Sequence, residues 1–110
     1  MIVEVVGGAE EHPEVRVVDV DDLSRLHLAL GEVTDEEADA ALRDAGLGRI
    51  QDAQTGLLHT AALRAAAGDR AGSPDWAEQF DAMVDAAREH GWVSDDGATL
   101  QVHLESAAGA

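Results

Sequence analysis

Between Pro74 and His90 the apolar residues Trp76, Phe80, Met83, Val84 and Ala87 recur at helical spacing, with Glu78, Gln79, Asp81, Asp85, Arg88 and Glu89 on the opposite side. A stripe of that width has to be buried, so this segment dictates a helix packed on a core. Ser73-Pro74-Asp75 supplies its start: a capping hydroxyl, a proline where the helical N–H would lack a partner, and an acid on the positive end of the helix dipole. Gly91 ends it, and Trp92 can fold back onto Ala87. Ser94-Asp95-Asp96-Gly97 then reads as a turn. Beyond it Ala98, Leu100, Val102 and Leu104 alternate with Thr99, Gln101, His103 and Glu105, the period of a strand with one buried face. All three aromatic residues of the chain fall in this helix-to-strand unit.

Upstream, Ile2–Val6 and Val15–Val20 are β-branched runs separated by the loop Gly7–Pro13, and they read as an antiparallel pair. Asp21 or Asp22 caps a short helix through Leu30, with Leu23, Leu26, His27 and Leu30 along one stripe and Gly31 as its stop. Thr34-Asp35-Glu36-Glu37 is a capping box, Ala38, Ala41, Leu42 and Ala45 give the buried face of the helix it opens, and Gly46-Leu47 closes that helix. Gly48–Gln51 and Gly56–Leu58 read as short strands around a turn, and a further helix runs from Thr60 to Ala67. The sum is one α+β domain over residues 1–105, an antiparallel sheet packed against several helices, with a flexible tail over 106–110.

Charge restricts the partners such a domain can take. Twenty-three Asp plus Glu stand against seven Arg and no Lys, a formal net charge of −16. Phosphate backbones and anionic lipid surfaces repel such a chain, which excludes direct nucleic-acid and membrane-surface binding as leading functions. Cysteine is absent, removing disulfides, thiolate catalysis and Cys-type zinc sites together. The N-terminal segment lacks the pattern of a secretory signal and no stretch is long enough to span a bilayer, so a cytoplasmic protein is expected.

Asp19, Asp21 and Asp22 gather carboxylates that suit a hard cation, although capping of the following helix and its dipole explain them better. The five histidines show no metal-ligand spacing, and no serine lies in a nucleophile motif. Gly7-Gly8 lacks the further glycines of a phosphate loop. No catalytic residue, metal ligand or cofactor is therefore assigned. His27 sits beside the buried stripe, and His103 shares a strand face with Glu105, which could orient it as a base. A pocket near His27, Trp92, His103 and Glu105 is the candidate ligand site. The helix and two-strand ending resembles a winged-helix domain, yet the row Glu78, Asp81, Asp85 and Glu89 would push DNA away.

The run Trp76…Phe80-Asp81-Ala82-Met83…Gly91-Trp92-Val93…Val102-His103-Leu104-Glu105, with Ala45-Gly46-Leu47-Gly48-Arg49-Ile50, resembles small acidic proteins of actinobacteria. The resemblance implies a high-GC origin for the acidity and carries no activity with it. The expected function is a small interaction or accessory protein that sets its acidic helix face, Glu78, Asp81, Asp85 and Glu89, against a basic protein partner. The alternatives are a small-molecule or metal-binding protein, an enzyme among the options, with a pocket between helix and sheet, and an antitoxin or immunity-type protein.

Overall fold

The computed structural model describes residues 1–7, 13–23, 26–31 and 33–106. Most of the expected loop, with His12, lies outside these residues, as do Ser24 and residues 107–110. In chain order the elements are β1 (Ile2–Val6), β2 (Glu14–Val18), β3 (His27–Gly31), α1 (Asp35–Asp44), β4 (Gly48–Asp52), β5 (Thr55–His59), α2 (Thr60–Gly68), α3 (Trp76–Glu89) and β6 (Thr99–Ser106).

The strands form a single sheet in the order β2-β1-β3-β6-β5-β4. The expected α+β layering is present, but the sheet is mixed. β1 pairs antiparallel with β2, and the same holds for β4 with β5 and β5 with β6, whereas β3 lies parallel to both β1 and β6. This corrects the expectation of an antiparallel sheet, and the source of the error is one element. Residues 27–31 are a central strand, not the end of a helix capped by Asp21 or Asp22. Leu23, Leu26 and Leu30 do fall at helical spacing, but Leu28 and Leu30 also alternate with His27, Ala29 and Gly31, and two neighbouring strands reward the alternation with hydrogen bonds on both edges. The aspartates there organise a junction instead. Asp21 accepts from the Gly72 backbone N–H at 3.3 Å, and the Asp22 carbonyl accepts from the N-terminal ammonium.

β6 joins two half-sheets. Its residues Thr99–His103 pair with β5, and Leu104–Ser106 pair with β3. One face of the sheet carries Val3, Val5, Leu28, Leu30, Leu58, Leu100, Val102 and Leu104, all buried, and these form one cluster with Ala38 and Leu42 of α1, Leu63 and Ala67 of α2, and Trp76, Phe80, Val84 and Ala87 of α3. The sheet's outer strands are tied at their edges by side chains. The Asp39 carboxylate accepts from the Ile50 N–H on β4 at 2.8 Å, and Arg70 donates to the Val17 carbonyl on β2 at 3.1 Å. Groups that would otherwise template a further strand are thereby occupied.

α1 carries the full capping box, with the Glu37 N–H donating to the Thr34 hydroxyl at 3.1 Å and the Thr34 N–H donating to the Glu37 carboxylate at 3.0 Å. α3 starts later than its sequence suggests. Pro74 and Asp75 form a turn in which the Ser73 hydroxyl accepts from the Asp75 N–H, and the helix proper begins at Trp76. The buried indole explains the choice. Trp76 is 3% exposed, its ring N–H donates to the Val20 carbonyl at 2.6 Å, and it stacks on Phe80 with centroids 5.1 Å apart.

Candidate interaction surface on the third helix

α3 is fixed at its first turn by the Trp76 anchor and along its length by Phe80, Val84 and Ala87, so its outward side is a rigid platform. Glu78, Asp81, Asp85 and Glu89 lie on that side, spaced three, four and four residues apart, and all are exposed. The row is not uniformly free. Asp81 receives a two-pronged contact from Arg64 of α2, at 3.1 Å and 3.4 Å, which partly neutralises the middle of the stripe and links the two helices. Asp85 and Glu89 carry the uncompensated part. In this last stretch Arg88 is the only cation, and its guanidinium lies close over Gly97 in the turn before β6.

At the C-terminal end of α3, Gly91 adopts a left-handed conformation with φ +79°, and the Trp92 N–H donates to the Ala87 carbonyl at 3.0 Å. The expected fold-back therefore occurs in the backbone. The indole itself is 48% exposed and stacks on His90 with ring centroids 4.6 Å apart. Val93 then bridges Leu100, and the Trp92 carbonyl accepts from the Gln101 N–H at 2.7 Å, so this segment occupies the edge of β6 that β3 has not yet reached. The offset between the half-sheets leaves a notch of about 610 Å³ there. Its apolar lining comes from Leu23, Leu26, Met83, Ala86, Ala87, Leu100 and Val102, with His90 and Trp92, and with Gln54, Thr55, Gln101 and His103 supplying its polar groups. Among the described residues, no Asp, Glu or Arg lines it.

The four residues expected around a pocket do not all meet at the notch. Trp92 and His103 line the notch, whereas His27 and Glu105 do not. The parallel register pairs Leu28 with Leu104 and Ala29 with Glu105, which puts His27, His103 and Glu105 together on the face opposite the buried cluster. Glu105 lies 3.6 Å from His27 Nε2 and 3.9 Å from His103 Nε2. Separations of that length are too long for hydrogen bonds, so no hydrogen bond from Glu105 orients His103. Among the described residues no group of three or more His, Asp or Glu side chains could hold a metal ion, and no helix is long and apolar enough to cross a membrane.

The carboxyls of Asp39 and Asp96 are shifted, each foremost by a hydrogen bond. The Ile50 N–H foremost, with Arg43 adding to it, holds the Asp39 carboxyl below its ordinary value against the opposing effect of burial. The Ser94 hydroxyl, followed by the Ala98 N–H, does the same for Asp96 in the turn before β6. Both residues serve edges and turns and stand apart from the notch. Leu23, Leu26 and Met83 are the site residues that sequence reasoning missed. The first two were hidden by reading residues 21–30 as a helix, and Met83 read as ordinary core. Comparison with protein-family models, curated proteins and solved structures finds no match to this chain.

Proposed function

We propose that this protein is an interaction domain whose third helix docks through its acidic row on a basic surface of a protein partner. The observation that carries this reading is the placement of Glu78, Asp85 and Glu89, exposed along one side of a 14-residue helix whose other side is locked into the core. A rigid row of charge accelerates encounter and sets orientation with little ordering cost on binding. Trp92, the one exposed large hydrophobic residue among those described, stands at the end of the row, and aromatic side chains in that setting are frequent anchors of protein interfaces.

Affinity capture from cell lysate tests the reading with two baits, the wild-type chain and an Asp85→Lys/Glu89→Lys variant. Asp81 is left in place because it is engaged by Arg64. The wild type is expected to retain a basic protein at low ionic strength and release it as salt shortens the screening length from about 10 Å at 0.1 M toward about 3 Å at 1 M. The variant is expected to lose it at every salt concentration. Capture that is indifferent to both salt and charge reversal overturns the proposal.

A further inference from the structure

The acidic row and the notch are parts of one surface. At 100° per residue, Ala82 and Ala86 fall between the side of α3 that carries Asp85 and Glu89 and the side that carries Met83 and His90 into the notch. Both alanines are exposed. The helix thus presents three parallel strips: carboxylates, small side chains over which another backbone can pass closely, and an apolar recess that no carboxylate or guanidinium lines among the described residues. We infer that the notch is the anchor pocket of the interface proposed above, and that its occupant is an apolar side chain, leucine-sized or larger, from a basic amphipathic helix of the partner. The inference rests on the partner-binding reading of α3.

Charge complementarity selects this occupant. A helix laid across Ala82 and Ala86 reaches Asp85 and Glu89 with lysines or arginines from one side and the notch with apolar residues from the other, because residues three and four apart share a face while intervening ones point away. Separation of the two kinds of contact matches an interface with an apolar centre and a charged rim. The recess of about 610 Å³ is also within the range of small-ligand pockets, so a free apolar molecule is the rival occupant.

Two synthetic helical peptides of equal positive charge separate these outcomes, one carrying leucines on its apolar face and one with those leucines replaced by alanine. Binding is followed by calorimetry and by Trp92 emission in the intact protein. The leucine peptide is expected to bind at least about tenfold more tightly than the alanine peptide, the effect of burying one leucine-sized side chain. Ala86→Phe, which fills the notch and also raises the strip that the helix crosses, is expected to weaken both peptides and to remove the difference between them, and Trp92→Ala serves as a second variant that removes a wall instead. Asp85→Lys/Glu89→Lys is expected to weaken both peptides. Equal binding of the two peptides, both still weakened by charge reversal, overturns the anchor and leaves the acidic interface standing. Failure of either peptide to bind in a salt-dependent way overturns both. Saturable binding of indole that Ala86→Phe abolishes, with the peptide difference untouched, assigns the notch to a small molecule and overturns the inference.

Discussion

The two tryptophans are chemically alike and structurally opposed, and substituting each by phenylalanine measures the difference. In Trp76→Phe the ring stack on Phe80 survives, but the indole N–H that reaches the Val20 carbonyl at 2.6 Å is gone. A buried carbonyl left without its donor costs about 1–3 kcal/mol. The smaller ring also leaves space in a site that is 3% exposed, adding roughly 1 kcal/mol where the neighbours cannot close in. The total of roughly 2–4 kcal/mol is a large part of the 5–15 kcal/mol typical of a domain and lowers Tm by roughly 10–20 °C. Trp92→Phe removes part of a half-exposed ring and keeps its stack on His90, so its cost stays within about 0.5 kcal/mol. Urea denaturation followed by far-ultraviolet circular dichroism reads both variants on one scale. Equal midpoints for Trp76→Phe and the wild type would refute the anchoring role of the indole, and a large loss in Trp92→Phe would refute its placement at the surface.

Asp39→Ala leaves the outer edge of β4 without its acceptor and is expected to cost about 1–2 kcal/mol at neutral pH. Because the folded carboxyl is held below its ordinary value, the contribution is complete above the unfolded pKa of about 3.9 and is lost as pH falls through the folded value, so the gap between wild-type and variant urea midpoints should narrow as the solution is acidified; a gap independent of pH contradicts the assignment. Gly48→Ala would place a Cβ 2.0 Å from the Leu57 carbonyl oxygen and is expected to cost about 3 kcal/mol by forcing β4 and β5 apart. Gly46→Ala, which meets nothing within 4 Å and strains only the backbone at φ +71°, should cost about 1 kcal/mol, and equal losses in the two variants would exclude the steric cause.

Elements whose signals are local were legible in the sequence. The Thr34 capping box, the Gly91 stop, the Ser94–Gly97 turn and the alternation of β6 each depend on residues within a few positions of one another, and each is present. The segment from Asp21 to Gly31 was not legible, because its leucines satisfy a helical and a strand period at once and only the neighbours β1 and β6, contributed by the two ends of the described chain, decide between them. The sheet direction follows from that single element, so one ambiguous pentapeptide changed the topology. The notch was legible only in part: Trp92 and His103 of the expected pocket line it, whereas its Leu23 and Leu26 were hidden by the same ambiguity. It exists because β6 outruns β5 before β3 begins to pair with it, an offset no local pattern records. The acidic row of α3 was fully visible, yet the engagement of Asp81 by Arg64, 17 residues away, was not.

The position of the acids on α3 argues that they serve something other than the fold. Asp81, Asp85 and Glu89 are like charges four residues apart, an arrangement that destabilises a helix by a few tenths of a kcal/mol per pair. Asp85 and Glu89 also lie toward the negative end of the helix dipole, where cations are favoured and only Arg88 offsets them. Solubility does not require this placement, since acids on loops or in the first turn of a helix, where α1 carries Asp35, Glu36 and Glu37, supply the same charge without that cost. On the proposed reading, a row held against helical preference is one whose charge meets a partner. Asp85→Lys/Glu89→Lys leaves positions 85 and 89 like-charged but turns the contact with Asp81 from repulsive to attractive and complements the dipole, so loss of binding in that variant reports on the surface and not on unfolding.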